Sequence, residues 1–138
     1  MSNNSFDPIT LEILWNRLIS IVDESAATFV RTSFSTLVRE ANDYAVVLTD
    51  ASGRSLAQSS KSIPSFLSTL PRTVRHLLEV FPADSLKQGD VLITNDPWMG
   101  TGHIHDVSTA MPLFHKGQLV AFSAVTSHMP DIGGPVRN

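Results

Sequence analysis

Two largely apolar, strand-like segments, Val107 to Phe114 and Leu119 to Thr126, flank the short motif His115-Lys116-Gly117-Gln118. This feature constrains the chain more than any other, because two such runs about a glycine-containing turn pair as an antiparallel hairpin. Pro112 has no N–H to give to a ladder, so it predicts an edge or a bulge in the first strand. A two-residue turn centred on Lys116-Gly117 sets His115 opposite Gln118. Carried along the strands, that register places His128 opposite His105, Ser127 opposite Asp106 and Pro130 opposite His103. Directly opposed residues hold their Cβ atoms roughly 4.5–5.5 Å apart. A slip of one or two positions still leaves His128 beside the 103–106 segment.

Helical periodicity dominates the first part of the chain. Leu11, Leu14, Leu18, Ile21, Val22 and Phe29 follow one helix face, and Asp7-Pro8 supplies a cap and a first-turn proline. The spacing predicts a helix from about Pro8 to about Thr32, docked by its apolar stripe. Tyr44 to Thr49 and Ser55 to Ala57, joined through Asp50-Ala51-Ser52-Gly53, predict a second hairpin. Leu70, Val74, Leu77, Leu78 and Phe81 predict a second helix, with Pro71 in its first turn and Pro82 past its end. Val91 to Thr94 reads as a short buried strand that runs into the turn-rich loop Asn95 to Gly102, where function is expected. Ser59-Ser60-Lys61-Ser62 is too short for an interdomain linker. The expected architecture is therefore α+β: an N-terminal amphipathic helix, β-hairpins and a second helix packed on a mixed or antiparallel sheet.

At 138 residues the chain falls within the range of one domain and can bury roughly 68% of its unfolded surface. There are no cysteines, which removes disulfides, thiolate metal sites and a cysteine nucleophile. Ten basic residues against thirteen acidic ones, scattered along the chain, argue against nucleic acid as a partner. No apolar run approaches the roughly 18 residues of a membrane span, and the N-terminus has no leader pattern. A cytoplasmic chain is expected. The last residues, Asp131 to Asn138, are loop-like, which reads as the truncation of a longer subunit. The first helix and the strand 119–126 are expected to expose apolar surface and to make the chain oligomeric.

Four of the five histidines lie between positions 103 and 128, and Gly102-His103-Ile104-His105-Asp106 concentrates two imidazoles and a carboxylate. Such groups suit manganese, iron or zinc. In an extended chain His103 and His105 share a side, whereas a helical turn brings His103 and Asp106 together. Spacing alone leaves both open, along with histidines that merely hydrogen-bond in a loop. Asp96 before Pro97 and Asp131 after His128 are candidate bases or ligands, and each is equally a turn carboxylate. Gly100 and Gly102 lack the Lys-Ser/Thr of a phosphate loop. Arg31, Arg39 and Glu40, in or after the end of the first helix, read as a solvated face or an ion pair, and His76 and His115 as surface residues. The serines between Ser52 and Ser68 show no nucleophile elbow.

The whole pattern resembles the hydantoinase B and oxoprolinase family, whose relatives include the acetone carboxylase alpha subunit. The residues that carry the resemblance are Asp7-Pro8-Ile9-Thr10-Leu11-Glu12, Asp50 to Arg54, Gly89 to Pro97, Gly102 to Asp106, and Ser127-His128-Met129-Pro130-Asp131-Ile132-Gly133-Gly134. Phe66 stands near the place where relatives often carry a histidine. The resemblance covers the N-terminal portion of longer subunits. It implies His103, Asp106 and His128 as ligands of a divalent metal, manganese first with iron or zinc behind it, and Asp96 or Asp131 as proton acceptors. It further implies ATP-dependent opening of a small cyclic amide such as hydantoin or oxoproline. An A-type ATP-binding subunit or domain would supply the phosphorylation, so the isolated chain is expected to be inactive. Ketone carboxylation of the acetone carboxylase kind, or a non-catalytic assembly module on the same scaffold, are the alternatives.

Overall fold

The computed structural model describes residues 6–133. Its centre is the hairpin of β4 (Asp106–His115) and β5 (Gln118–His128), closed by Lys116 and Gly117. Both turn residues have positive φ, 50° and 79°, as a turn matching strand twist requires. His115 faces Gln118 and Phe114 faces Leu119, as the turn predicts. A bulge between Leu113 and Phe114 then shifts the register, so Leu113 faces Ala121, Asp106 faces His128 and Val107 faces Ser127. The expected pairs of His128 with His105 and Ser127 with Asp106 are thereby corrected by one position.

Packing explains why that one residue matters, since a slip of one exchanges the two faces of a strand. With the bulge, Ser108 and Ala110 stand beside Thr126 and Ala124 on one face. Without it, Thr109 and Met111 would occupy that face, where a helix has to approach closely. Pro112 lies past Ala110, the last residue of β4 that the outer strand β3 (Leu92–Thr94) pairs, so no ladder partner on that side needs its missing N–H. Only Leu92 of β3 is buried. Ile93 is 65% exposed and Val91 is outside the strand, so this is a short edge rather than a buried strand.

β1 (Tyr44–Asp50) pairs with β5, and β2 (Ser55–Gln58) with β1, giving one antiparallel sheet in the order β2-β1-β5-β4-β3. The β1–β2 turn is held by Asp50. Burial pushes its carboxyl up, but the Arg54 N–H, the Ser52 hydroxyl, the Arg54 guanidinium and the Ser52 N–H together hold it well below the usual carboxylate range. Gly53, at φ 77°, lies against Arg75 so closely that a Cβ would meet Arg75 Cγ at 2.7 Å. The turn is thereby docked on α3 (Pro64–Val80).

α3 covers the face bearing Ala45, Val47, Ala110, Phe122 and Ala124 with Leu70, Val74 and Leu77. Pro64 occupies its first turn, and Pro71 is buried inside the helix rather than opening it. The helix continues through Pro71 because its tertiary burial outweighs one lost backbone bond. On the opposite face α1 (Pro8–Thr32) packs Val22 and Ala26 against Tyr44 and Val46. Asp7 caps α1 by accepting from the N–H groups of Ile9 and Thr10. Of the stripe, Leu18, Val22 and Phe29 dock, while Leu11, Leu14 and Ile21 remain 49%, 42% and 44% exposed. In β5 only Val120, at the bulge, is an exposed large apolar residue, so strand 119–126 exposes less than expected. Arg39 and Glu40 lie after the end of α1, in a separate short helix, α2 (Thr36–Glu40), capped by the Ser35 hydroxyl. No helix among the described residues is long and apolar enough to cross a membrane.

Candidate metal centre

Rows of side chains cross the α3-covered face. Pro112, Phe122 and Thr49 form one row, Ala110, Ala124 and Val47 the next, and Ser108, Thr126 and Ala45 the third. The core becomes polar in that third row, where the Ser108 and Thr126 hydroxyls bond each other at 2.7 Å. One step further along the strands Asp106 and His128 face each other, past the end of the apolar packing.

The segment before β4 delivers its other members through a tight turn. Asp106 N–H donates to the His103 carbonyl at 3.2 Å, so residues 103–106 form one hydrogen-bonded turn. It brings His103 within reach of Asp106 and also stacks it on His105, so features of both local alternatives are present. Met129 N–H donates to the His105 carbonyl at 2.8 Å and ties the end of β5 to the same turn. The imidazoles of His103, His105 and His128 lie with centroids 4.9–5.4 Å apart and planes within 29° of each other.

Asp106 is the hub. Its Oδ1 lies 2.9 Å from His128 Nδ1 and 3.8 Å from His103 Nδ1, while its Oδ2 accepts from the Thr101 hydroxyl. The carboxylate side chain is 5% exposed, against 46% for His103, so the cluster is closed beneath and open at His103. One ligand atom each from His103, Asp106 and His128 lie within 4.8 Å of one another. Two imidazoles and one carboxylate at that spacing fit a borderline divalent ion with bonds of about 2.0–2.2 Å, and three protein ligands leave further positions for water or substrate. His105 does not join this set. It is 7% exposed, and its Nδ1 is buried without a hydrogen-bond partner.

Asp43 was not singled out by the sequence. After α2 the chain turns through Asn42 at φ 54°, and Asp43 N–H donates back to the Leu37 carbonyl. The Asp43 carbonyl then accepts from His128 N–H at 3.3 Å, extending the β1–β5 ladder by one residue. This sets Asp43 in the row of Asp106 and His128. Burial pushes its carboxyl up, His128 opposes that, the Asp106 charge adds to it, and His103 opposes it again. A signal existed in the alternation of β1, because Asp43, Ala45 and Val47 share a face; only the long-range pairing shows what that face meets.

The two candidate bases lie in turns outside the three-residue set. Asp96 accepts from Trp98 N–H at 2.8 Å, and its carbonyl accepts from Gly100 N–H, closing the loop that leads to the cluster. Asn95 Nδ2 donates to the Ile104 carbonyl and cross-braces that loop. Asp131 is exposed and accepts from Gly133 N–H at 2.8 Å, while Gly134, expected in the same turn, lies outside the described residues. His76 contacts Arg72 and Glu79 on α3, and His115 is exposed in the hairpin turn. Phe66 lies in the first turn of α3 and packs against the core.

Comparison with known proteins gives a consistent result. The sequence profile described as hydantoinase B/oxoprolinase matches residues 7–138. The chain is 34% identical to 5-oxoprolinase 1 of Arabidopsis thaliana over 97% of its own length and 10% of that protein. It is 35% identical to the caprolactamase subunit beta of Pseudomonas jessenii, covering 96% of the chain and 22% of that subunit. The solved structure of the ATP-dependent caprolactamase from Pseudomonas jessenii matches with a TM-score of 0.84 over 96% of this chain and 23% of that one, at 34% identity. A nucleotide-free acetone carboxylase structure matches with a TM-score of 0.80 at 25% identity, over 91% of this chain and 16% of that one. The chain thus spans less than a quarter of the length of each of these relatives.

Proposed function

The chain belongs to the hydantoinase B/oxoprolinase family, and from that premise we propose that it is the metal-binding part of a B-type subunit in an ATP-dependent hydrolase of small cyclic amides. The observation that carries this reading is the convergence of His103, Asp106 and His128 from two distant segments onto one buried carboxylate. The family resemblance puts manganese first, with iron and zinc behind it, and a nitrogen and oxygen set without sulfur accepts all three. When bound, such an ion polarises a carbonyl or phosphorylated oxygen, or lowers the pKa of a water.

The chain's own residues supply the rest. Thr101 holds Asp106 Oδ2 and so leaves Oδ1 toward the imidazoles. His103, the most exposed of the three, stands where a substrate would enter. Asp96 and Asp131 sit on the neighbouring loops as proton acceptors for ring opening. ATP chemistry is assigned to an A-type partner subunit or domain, because the similar caprolactamase is ATP-dependent and the matching chain there is a subunit beta, and ring opening requires that partner. Ketone carboxylation is the second reading, favoured by the acetone carboxylase match; the higher identity to the caprolactamase favours the amide hydrolase.

Elemental analysis tests the metal directly. Protein purified without chelator is expected to carry one divalent ion per chain, lost to a chelator and restored by manganese. Protein that stays metal-free after manganese, iron and zinc are each added contradicts the reading. Thr101→Val is expected to weaken manganese binding roughly tenfold or more, as loss of an orienting partner does, while the fold is retained.

A further inference from the structure

A cavity lies on the other side of β1 from the histidines. Asn42 and Tyr44 line it, while Asp43 between them belongs to the opposite face. It is a cleft of about 520 Å³ between α1, the α2–β1 turn and the loop after β2, within the size range of small-molecule sites. Three cations line it: Arg31 from the end of α1, Arg39 from α2, and Lys61 from the loop before α3.

The charges in this cleft do not balance. Asp23 is its one acidic side chain, and it is committed to Ser60, accepting from the Ser60 N–H at 2.8 Å and the hydroxyl at 2.9 Å. None of Arg31, Arg39 or Lys61 forms a salt bridge among the described residues. Arg31 makes one bond, to the Thr28 hydroxyl at 3.3 Å. Three cations from three separate elements therefore face a single occupied carboxylate, a surplus of two positive charges.

The floor of the cleft points the same way. Tyr44 is 1% exposed, and no side-chain hydrogen bond within the described residues engages its hydroxyl. Burial, and after it the Asp23 charge, push the phenol up, so it remains an O–H donor. Tyr44 lines the cleft, so its O–H is a donor that a bound anion can engage. Beside it, Ala26 and Val30 give the cleft an apolar wall.

We propose that this cleft is a second ligand site, separate from the metal cluster, for an organic anion that carries a carboxylate or phosphate on a short apolar body. The anionic group meets Arg31, Arg39 and Lys61 and accepts from the Tyr44 hydroxyl; the body lies against Val30 and Ala26. A bare inorganic ion would satisfy the cations and leave the apolar wall uncovered. The site stands on its own observations and does not depend on the metal reading.

Tyr44 is the one tyrosine of the chain, so protein labelled with 3-fluorotyrosine gives a single fluorine resonance that reports from the cleft. Titrations with phenyl phosphate, adipate and inorganic phosphate form the test. Phenyl phosphate or adipate is expected to give a saturable shift, the stronger of the two identifying the phosphate or the carboxylate source, with inorganic phosphate weaker. Arg39→Ala and Lys61→Ala are each expected to weaken binding about tenfold, and Asp106→Ala to leave it unchanged. No saturable shift up to about 10 mM of any probe, or a shift that survives removal of both cations, overturns the proposal.

Discussion

Replacing His128 or Asp106 by alanine lowers manganese affinity by roughly 100-fold or more, since the loss of a ligand exceeds the 10–100-fold cost of losing its supporting partner. The two residues face each other across β4 and β5 with Nδ1 and Oδ1 2.9 Å apart, so either change removes one ligand and leaves the other without its neighbour. The fold should survive, because both lie past the apolar rows of the sheet. His76→Ala and His115→Ala leave the affinity unchanged, one being bound to Glu79 on α3 and the other exposed in the turn. Calorimetric titration of the four variants with manganese checks this. His103→Ala should weaken binding more than His105→Ala, whose Nδ1 is buried and outside the three-residue set; the reverse order would replace His103 in the ligand set.

Phe122→Ala is expected to cost about 3–5 kcal/mol of folding stability, the usual loss for a fully buried aromatic truncated in a core. Phe122 is 0% exposed in the middle strand of the sheet and packs under α3 with Leu70, Val74 and Leu77. Its position there depends on the bulge, which sets it opposite Pro112 on the face that α3 covers. Val120→Ala, at the bulge and 46% exposed, should change stability by no more than about 0.5 kcal/mol. Urea denaturation of both variants measures the difference. A Phe122→Ala loss below about 1 kcal/mol would mean that this residue does not anchor the core.

Local chemistry was legible wherever it sufficed. The Asp7 cap, the Pro8 start and the 3.6-residue period mark α1 from the sequence, and the Lys116-Gly117 turn marks the long hairpin together with the proximity of His128 to residues 103–106. The long-range features were not legible. The bulge at Leu113 is decided by which residues α3 tolerates beneath it, so the register near the histidines could not be fixed from the turn alone. Pro71 reads locally as a helix start, and only the packing of α3 on the sheet carries the helix through it. Asp43 is an ordinary loop aspartate until β1 pairs with β5 and brings it beside His128. Arg31 and Arg39 look like a solvated face or an ion pair in sequence, and they meet Lys61 only because α1, α2 and the loop after β2 enclose one cleft.

The central claim is that His103, Asp106 and His128 jointly hold one divalent ion. Crystals soaked in manganese, with diffraction recorded at the manganese absorption edge, locate that ion by its anomalous scattering. The account predicts a single strong peak within bonding distance of a nitrogen of His103, an oxygen of Asp106 and a nitrogen of His128, and none elsewhere on the chain. A peak away from this trio, or no peak in crystals of protein with these side chains intact, would contradict it.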